Sequence, residues 1–245
     1  MKTIEQPPPG PDHLEELPPE GWRGTSPGQF WGMMGVGAVT VLLVAAVAWP
    51  LMFRQRGHGS DRVQAINNAK QVGLALLEFD QEYGSFPNAS TAAMVKKDTG
   101  TKLDLSGGSS NAMFRQLIAY GIQSEDIFFT RHAEGSRKPD RVLTPGFALK
   151  AREVGFSYVA GLDSWMNPAI PVMMTPMRTG TREFWMGRDF GDKAVILRLD
   201  NSVEAPVIRS SDRKVSVGNG LTLFDTGPDT VWGSGHWIDL RHPEF

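Results

Sequence analysis

The chain has 245 residues, with 25 Lys and Arg against 27 Asp and Glu, a formal net charge of -2, and no cysteine. So even a charge balance excludes the bulk basic field that holds phosphate backbones, and nucleic acid is not an expected partner. The missing cysteine excludes disulfides, thiolate metal sites and cysteine nucleophiles outright.

Residues 1–28 are rich in Pro, Gly and acidic side chains, with few and isolated apolar ones. Such a segment buries too little surface to offset its ordering entropy and is expected to be a disordered tail, with Pro7-Pro8-Pro9 as spacer or polyproline ligand. Residues 29–54 are expected to form a transmembrane helix. No charge falls between Arg23 and Arg54, and the apolar run 30–53 is long enough to cross a hydrocarbon core of about 30 Å. Trp31 and Trp49 stand where an aromatic belt would place them. Ala46-Val47-Ala48 resembles a signal-peptidase site, but the long acidic region before it is unlike a signal peptide. Arg54, Arg56, Arg62 and Lys70 follow the run, whereas only Arg23 and Lys2 precede it. By the positive-inside rule this puts the following domain in the cytoplasm.

A globular domain is expected over 60–245. Gly57-His58-Gly59 reads as a flexible break, after which Ser60 or Asp61 caps a helix that ends at Gly84. Ile66, Ala69, Val72, Leu76, Phe79 and Tyr83 advance by three or four and share one face, while Gln64, Asn68, Gln71, Glu78 and Glu82 fall largely elsewhere. A second helix is expected over 111–119, with Met113, Leu117 and Tyr120 packing and Gly121 closing it. Residues 102–110 and 131–146 read as loops. From Phe156 the pattern turns to short strands at 156–159, 170–174 and 193–199, the last running through Asp200-Asn201-Ser202 into Val203. Further strands are expected at 215–217 and 221–224. Helices first and strands afterwards give an α+β fold: an amphipathic helix packed on a small antiparallel sheet.

The run Asn67-Asn68-Ala69-Lys70-Gln71-Val72-Gly73-Leu74-Ala75-Leu76, followed by Tyr83-Gly84-Ser85-Phe86-Pro87, resembles the helix and following loop of type II secretion pseudopilins and type IV pilin-like proteins. Residues 112–129, 156–176 and 194–204 resemble later segments of the same family, in the same order. The resemblance implies a pilin-like head exported to the periplasm, from a single-pass anchor in the inner membrane. It opposes the topology implied by the basic residues, and the periplasmic side is the expectation. The chain lacks the prepilin cleavage motif and the Glu that the family carries in its membrane helix, and the break at 57–59 would interrupt the family's single long helix. The expectation is therefore a pilin-like head on an ordinary uncleaved anchor.

Asp163, Asp189, Asp192, Asp200, Asp225 and Asp229 offer calcium-type oxygens, but no EF-hand spacing joins them, and turn chemistry accounts for such residues. His236, Asp239 and His242 could form a metal or catalytic group, though a packed C-terminal segment suffices. No G-x-S-x-G elbow and no phosphate-binding glycine loop occurs. Met173, Met174, Met177 and Met186 read as packing residues. No catalytic, cofactor-binding or metal-binding residue is assigned, and no cofactor. The expected function is a membrane-anchored structural or interaction protein of the bacterial cell envelope or secretion, not an enzyme. Its expected partners are the lipid bilayer and envelope or secretion proteins or copies of itself. The alternative is a membrane-anchored enzyme acting on an envelope polymer.

Overall fold

The computed structural model describes residues 57–245 except 132, 133, 188 and 236, with the backbone alone for 57–60. The expected tail, 1–28, and the expected membrane span, 30–53, lie outside the described residues. No described helix is long and apolar enough to cross a membrane.

The first helix, α1 (Gly57–Tyr83), carries the expected apolar face. Ala69, Val72, Leu76 and Phe79 are buried, and Ile66 and Tyr83 pack against the same core at its margins. Gly84 takes the left-handed conformation (φ 73°) and its N–H donates to the Asp80 carbonyl at 2.7 Å, ending the helix as a C-cap glycine does. Two expectations about α1 need correction. Gly57-His58-Gly59 does not break the helix but forms its first described turn: a helical glycine costs only about 1 kcal/mol against alanine, which the 27-residue helix can absorb. Asn68 does not belong to the solvent side. Its amide is buried and donates to the Asp126 carbonyl at 2.9 Å and the Phe129 carbonyl at 2.8 Å.

Next comes α2 (Ala89–Thr99), which the apolar periodicity does not announce. Its ends do. Asn88 forms a capping box with Thr91, Lys96 and Lys97 sit in the last turn, and Gly100 closes the helix in the left-handed region. Helix α3 (Ser110–Tyr120) is capped by Ser109 and is buried along most of its length. Gln116 joins the two helices, donating to the Asn88 carbonyl at 2.9 Å and accepting from the Thr91 hydroxyl at 2.7 Å.

The strands are β1 (Ser157–Ala160), β2 (Pro171–Thr175), β3 (Val195–Arg198), β4 (Val203–Glu204), β5 (Ser216–Gly218), β6 (Leu221–Thr222) and β7 (Asp239–Arg241). Five form one antiparallel sheet in the order β4-β3-β2-β1-β7, and β5 and β6 pair separately. The expected strands are all present within two or three residues. β7 is the addition: the C-terminal segment joins the sheet beside β1, pairing Val159 with Leu240. The α+β architecture with an antiparallel sheet is thus as expected.

Two contacts position α1 on the sheet. At Gly73 a β-carbon would lie 2.0 Å from Asn201 Oδ1 and 3.0 Å from Leu197 Cδ1, so only glycine lets the helix approach the β3–β4 turn this closely. At the helix exit, the Tyr158 hydroxyl donates to the Pro87 carbonyl at 2.9 Å, and the Phe86 N–H donates to the Leu162 carbonyl at 2.9 Å. The loop after α1 is thereby fixed to β1.

Candidate functional site

Between α3 and β1 the described residues from Gly121 to Phe156 are irregular apart from a 3₁₀ turn, Asp126–Phe128. This stretch folds back on itself. The Arg137 N–H donates to the Arg152 carbonyl at 2.8 Å, and the Gly155 N–H donates to the Phe128 carbonyl at 3.1 Å. Asn111 on α3 supports it, donating to the Leu149 and Lys150 carbonyls at 2.9 and 3.0 Å and accepting from the Glu244 N–H at 2.9 Å.

The wrap brings Glu125, Asp140 and Glu153 together, with one carboxylate oxygen of each within 4.8 Å of the others. Glu125 directly precedes the 3₁₀ turn that Asn68 ties to α1, and its side chain turns away from that turn to accept from Leu149. Glu153 closes the turn that begins at Lys150. Both glutamates are fully buried. One oxygen of each is accounted for: Glu125 Oε1 accepts from the Leu149 N–H at 2.6 Å, and Glu153 Oε2 from the Lys150 N–H at 2.9 Å. The other oxygen of each, Glu125 Oε2 and Glu153 Oε1, is buried without a hydrogen bond.

The cations nearby are unevenly placed. Lys150 Nζ lies 2.7 Å from Asp140 Oδ2 and holds the Asp140 carboxyl below the usual range. Arg137 Nε reaches only to 4.0 Å from Glu153 Oε1, and its side chain is mostly in solvent, so its attraction is screened. Two carboxylate charges 4.8 Å apart repel by roughly 3 kcal/mol at an effective dielectric of 20. Burial, opposed by the Leu149 and Arg141 backbone amides and reinforced by the Glu153 and Asp140 charges, raises the Glu125 pKa. A site of this kind is completed by a proton or by a cation.

Among the described residues this is the one grouping of three or more His, Cys, Asp or Glu with metal-ligand spacing. The aspartates considered from sequence do not gather. Asp163, Asp200 and Asp225 accept from the N–H of Trp165, Ser202 and Thr222, which is ordinary turn chemistry. Asp192 adopts the left-handed conformation (φ 53°) and lies, like Asp189 and Asp229, in an irregular segment. His236 lies outside the described residues. Asp239 pairs with Arg241, and its carboxylate is 2.7 Å from Arg241 Nε. His242 Nδ1 lies 3.0 Å from the Ser157 hydroxyl. Ser157 is buried within β1, so this contact ties the C-terminal segment to the sheet. Met173, Met174 and Met177 are core residues, and Met186 packs against the core. A shallow cleft of about 430 Å³ lies between α2 and the 104–107 loop, lined by Ala89, Ala93, Lys96, Asp104 and Met113, and none of the three clustered carboxylates lines it.

Sequence reading missed the cluster because its members share no local spacing. One signal was present: Glu125-Asp126 stands directly before the apolar run Ile127-Phe128-Phe129, which has to be buried and takes a carboxylate with it. No protein-family model, curated protein or solved structure matches this chain.

Proposed function

We propose that this chain is a membrane-anchored, pilin-like protein of the bacterial cell envelope or secretion machinery, with a structural or interaction role carried by its head. In this reading residues 30–53 anchor it once in the inner membrane and residues 60–245 form a periplasmic head. Its partners are envelope or secretion proteins, or copies of itself.

The observation that carries the reading is convergence on one helix. The four segments that resemble pilin-like proteins are far apart in sequence, yet each meets α1 or the loop that leaves it. Residues 67–87 are that helix and loop. Tyr158 and Leu162, from 156–176, hold Phe86 and Pro87. Leu197 and Asn201, from 194–204, lie against Gly73. Asp126 and Phe129, from 112–129, accept from Asn68. A shared docking helix gives these four segments a common physical reason to occur together. The continuity of α1 through Gly57 adds support, since the helix is already formed four residues beyond the charge-free run.

Two measurements test the proposal. Deleting residues 30–53 is expected to move the head from the membrane to the soluble fraction; a truncated chain that still sediments with membranes removes the anchor. In spheroplasts with an intact inner membrane, added protease is expected to digest the head. Protection of the head would place it in the cytoplasm, as Arg54 and Arg56 imply, and end the export reading.

A further inference from the structure

We propose that Glu125, Asp140 and Glu153 form a binding site for one calcium ion. The inference concerns the head alone and holds whichever side of a membrane the head occupies.

The donor set selects the ion. Three carboxylates offer only hard oxygens, and neither His nor Cys belongs to the group, which disfavours zinc and copper. Calcium takes six to eight oxygens at about 2.4 Å in adaptable geometry, so ligand oxygens up to about 4.8 Å apart can share one ion. The spacing in the cluster fits that limit. Magnesium demands a near-ideal octahedron and keeps several waters, which suits two fully buried glutamates poorly.

Acidic groups alone do not make a site. Here the independent observation is the pair of orphaned atoms, Glu125 Oε2 and Glu153 Oε1, each buried and without a hydrogen bond. Native proteins rarely leave buried polar atoms unpaired, and a charged one is the costliest to leave so. The neighbouring cations do not remove the need. Lys150 is spent on Asp140 at the rim of the cluster, and Arg137 stands off in solvent. The Arg141 guanidinium is engaged elsewhere, with its Nε 2.9 Å from Asp126 Oδ2, and only its neutral backbone N–H acts on Glu125. Three carboxylates against one close ammonium leave room for a dication. Once bound, the ion would join the 3₁₀ turn, the 137–142 segment and the 149–155 segment, which otherwise meet through side-chain ion pairs and a few hydrogen bonds.

The test uses the full-length chain in detergent micelles, stripped with a chelator. Equilibrium dialysis against radioactive calcium is expected to give one ion per chain, and calcium is expected to raise the thermal midpoint. Glu153→Gln is expected to weaken calcium binding at least tenfold, while Asp200→Asn, in a turn outside the cluster, leaves it unchanged. The sign of the stability effect should also invert. In chelator Glu153→Gln should melt no lower than the parent, since it removes a repelling charge; in calcium it should melt lower. The proposal is overturned if the parent chain retains no calcium and its midpoint ignores the ion, as it would if a proton completes the cluster. It is equally overturned if Glu125→Gln and Glu153→Gln bind calcium like the parent, or if magnesium binds more tightly than calcium.

Discussion

The seam where α1 lies on β3 and the irregular wrap over residues 121–155 both bury side chains completely, but by opposite means. The seam is apolar and periodic. Ala69, Val72 and Leu76 meet a sheet containing Ile196 and Leu197, and a glycine sets the distance. The wrap is aperiodic and polar. Glu125 and Glu153 within it and Asn111 on α3 against it are fully buried, and they hold backbone N–H and carbonyl groups that no helix or strand satisfies. A chain without regular structure must still pair its buried backbone, and side chains do so here. The seam should therefore tolerate small apolar changes, whereas the wrap should fail when a single polar group or close approach is lost.

The largest expected effect is at Gly155, where the wrap passes the 3₁₀ turn. A β-carbon there would lie 2.3 Å from Thr130 Cγ2, 2.5 Å from the Thr130 carbonyl oxygen and 2.9 Å from its nitrogen. Backbone atoms cannot swing aside as a side chain does. Gly155→Ala is expected to destabilise the full-length chain by about 3 kcal/mol, the upper end for overpacking, as read from urea unfolding. A loss below about 1 kcal/mol would mean that the wrap is as pliant as the seam.

Asn111→Leu is next. The substitution keeps the volume and removes three hydrogen bonds, leaving the Leu149 and Lys150 carbonyls and the Glu244 N–H without that partner. An expected loss of about 2 kcal/mol follows from stranding partly buried backbone groups. Hydrogen exchange should quicken first at Glu244, whose amide loses its acceptor.

Gly73→Ala probes the seam, with an expected loss of about 1 kcal/mol, because the atom in the way is the tip of a side chain. Asn201 is left-handed (φ 62°), and its Oδ1 is buried without a hydrogen bond. Asn201→Gly removes that tip and suits the backbone. Adding Gly73→Ala to Asn201→Gly should therefore cost less than Gly73→Ala alone, and a double-mutant cycle measures the difference. Strictly additive losses would place the clash at Leu197 instead.

The same contrast sets what was legible in the sequence. Periodicity gave the face of α1, and turn residues gave its end at Gly84 and the hairpin at Asp200-Asn201-Ser202. Helix α2 was missed because only Thr91 and Val95 are buried along it, too few for a period, although Asn88 and Gly100 marked both ends. β7 was missed because it is three residues long and half-exposed, so it lacks an alternating pattern. Asn68 was misplaced because amphipathicity assigns amides to water, whereas this one is drawn inward by two carbonyls of a turn about 60 residues away. The carboxylate cluster was invisible for a related reason: its members meet only through tertiary folding of a segment with no period at all.

The smallest expected effect concerns pH and joins the sheet to the wrap. His242 follows β7, contacts the Ser157 hydroxyl, and accepts the Ser110 N–H through its carbonyl at 2.9 Å. Burial lowers its pKa below the usual 6.5, against the opposing influence of the Glu134 charge and a hydrogen bond from the ring to the Thr181 backbone. A depressed histidine binds its proton less readily folded than unfolded. Its contribution is therefore full above about pH 6.5 and is lost as pH falls through the folded pKa. The thermal midpoint should decline between pH 7.5 and 5.5, and His242→Gln, which does not titrate, should flatten that decline. An unchanged slope in the variant would show that His242 is not the group responsible and that the C-terminal segment is held by Asn111 and Arg115 at Glu244, on the wrap's side of the junction.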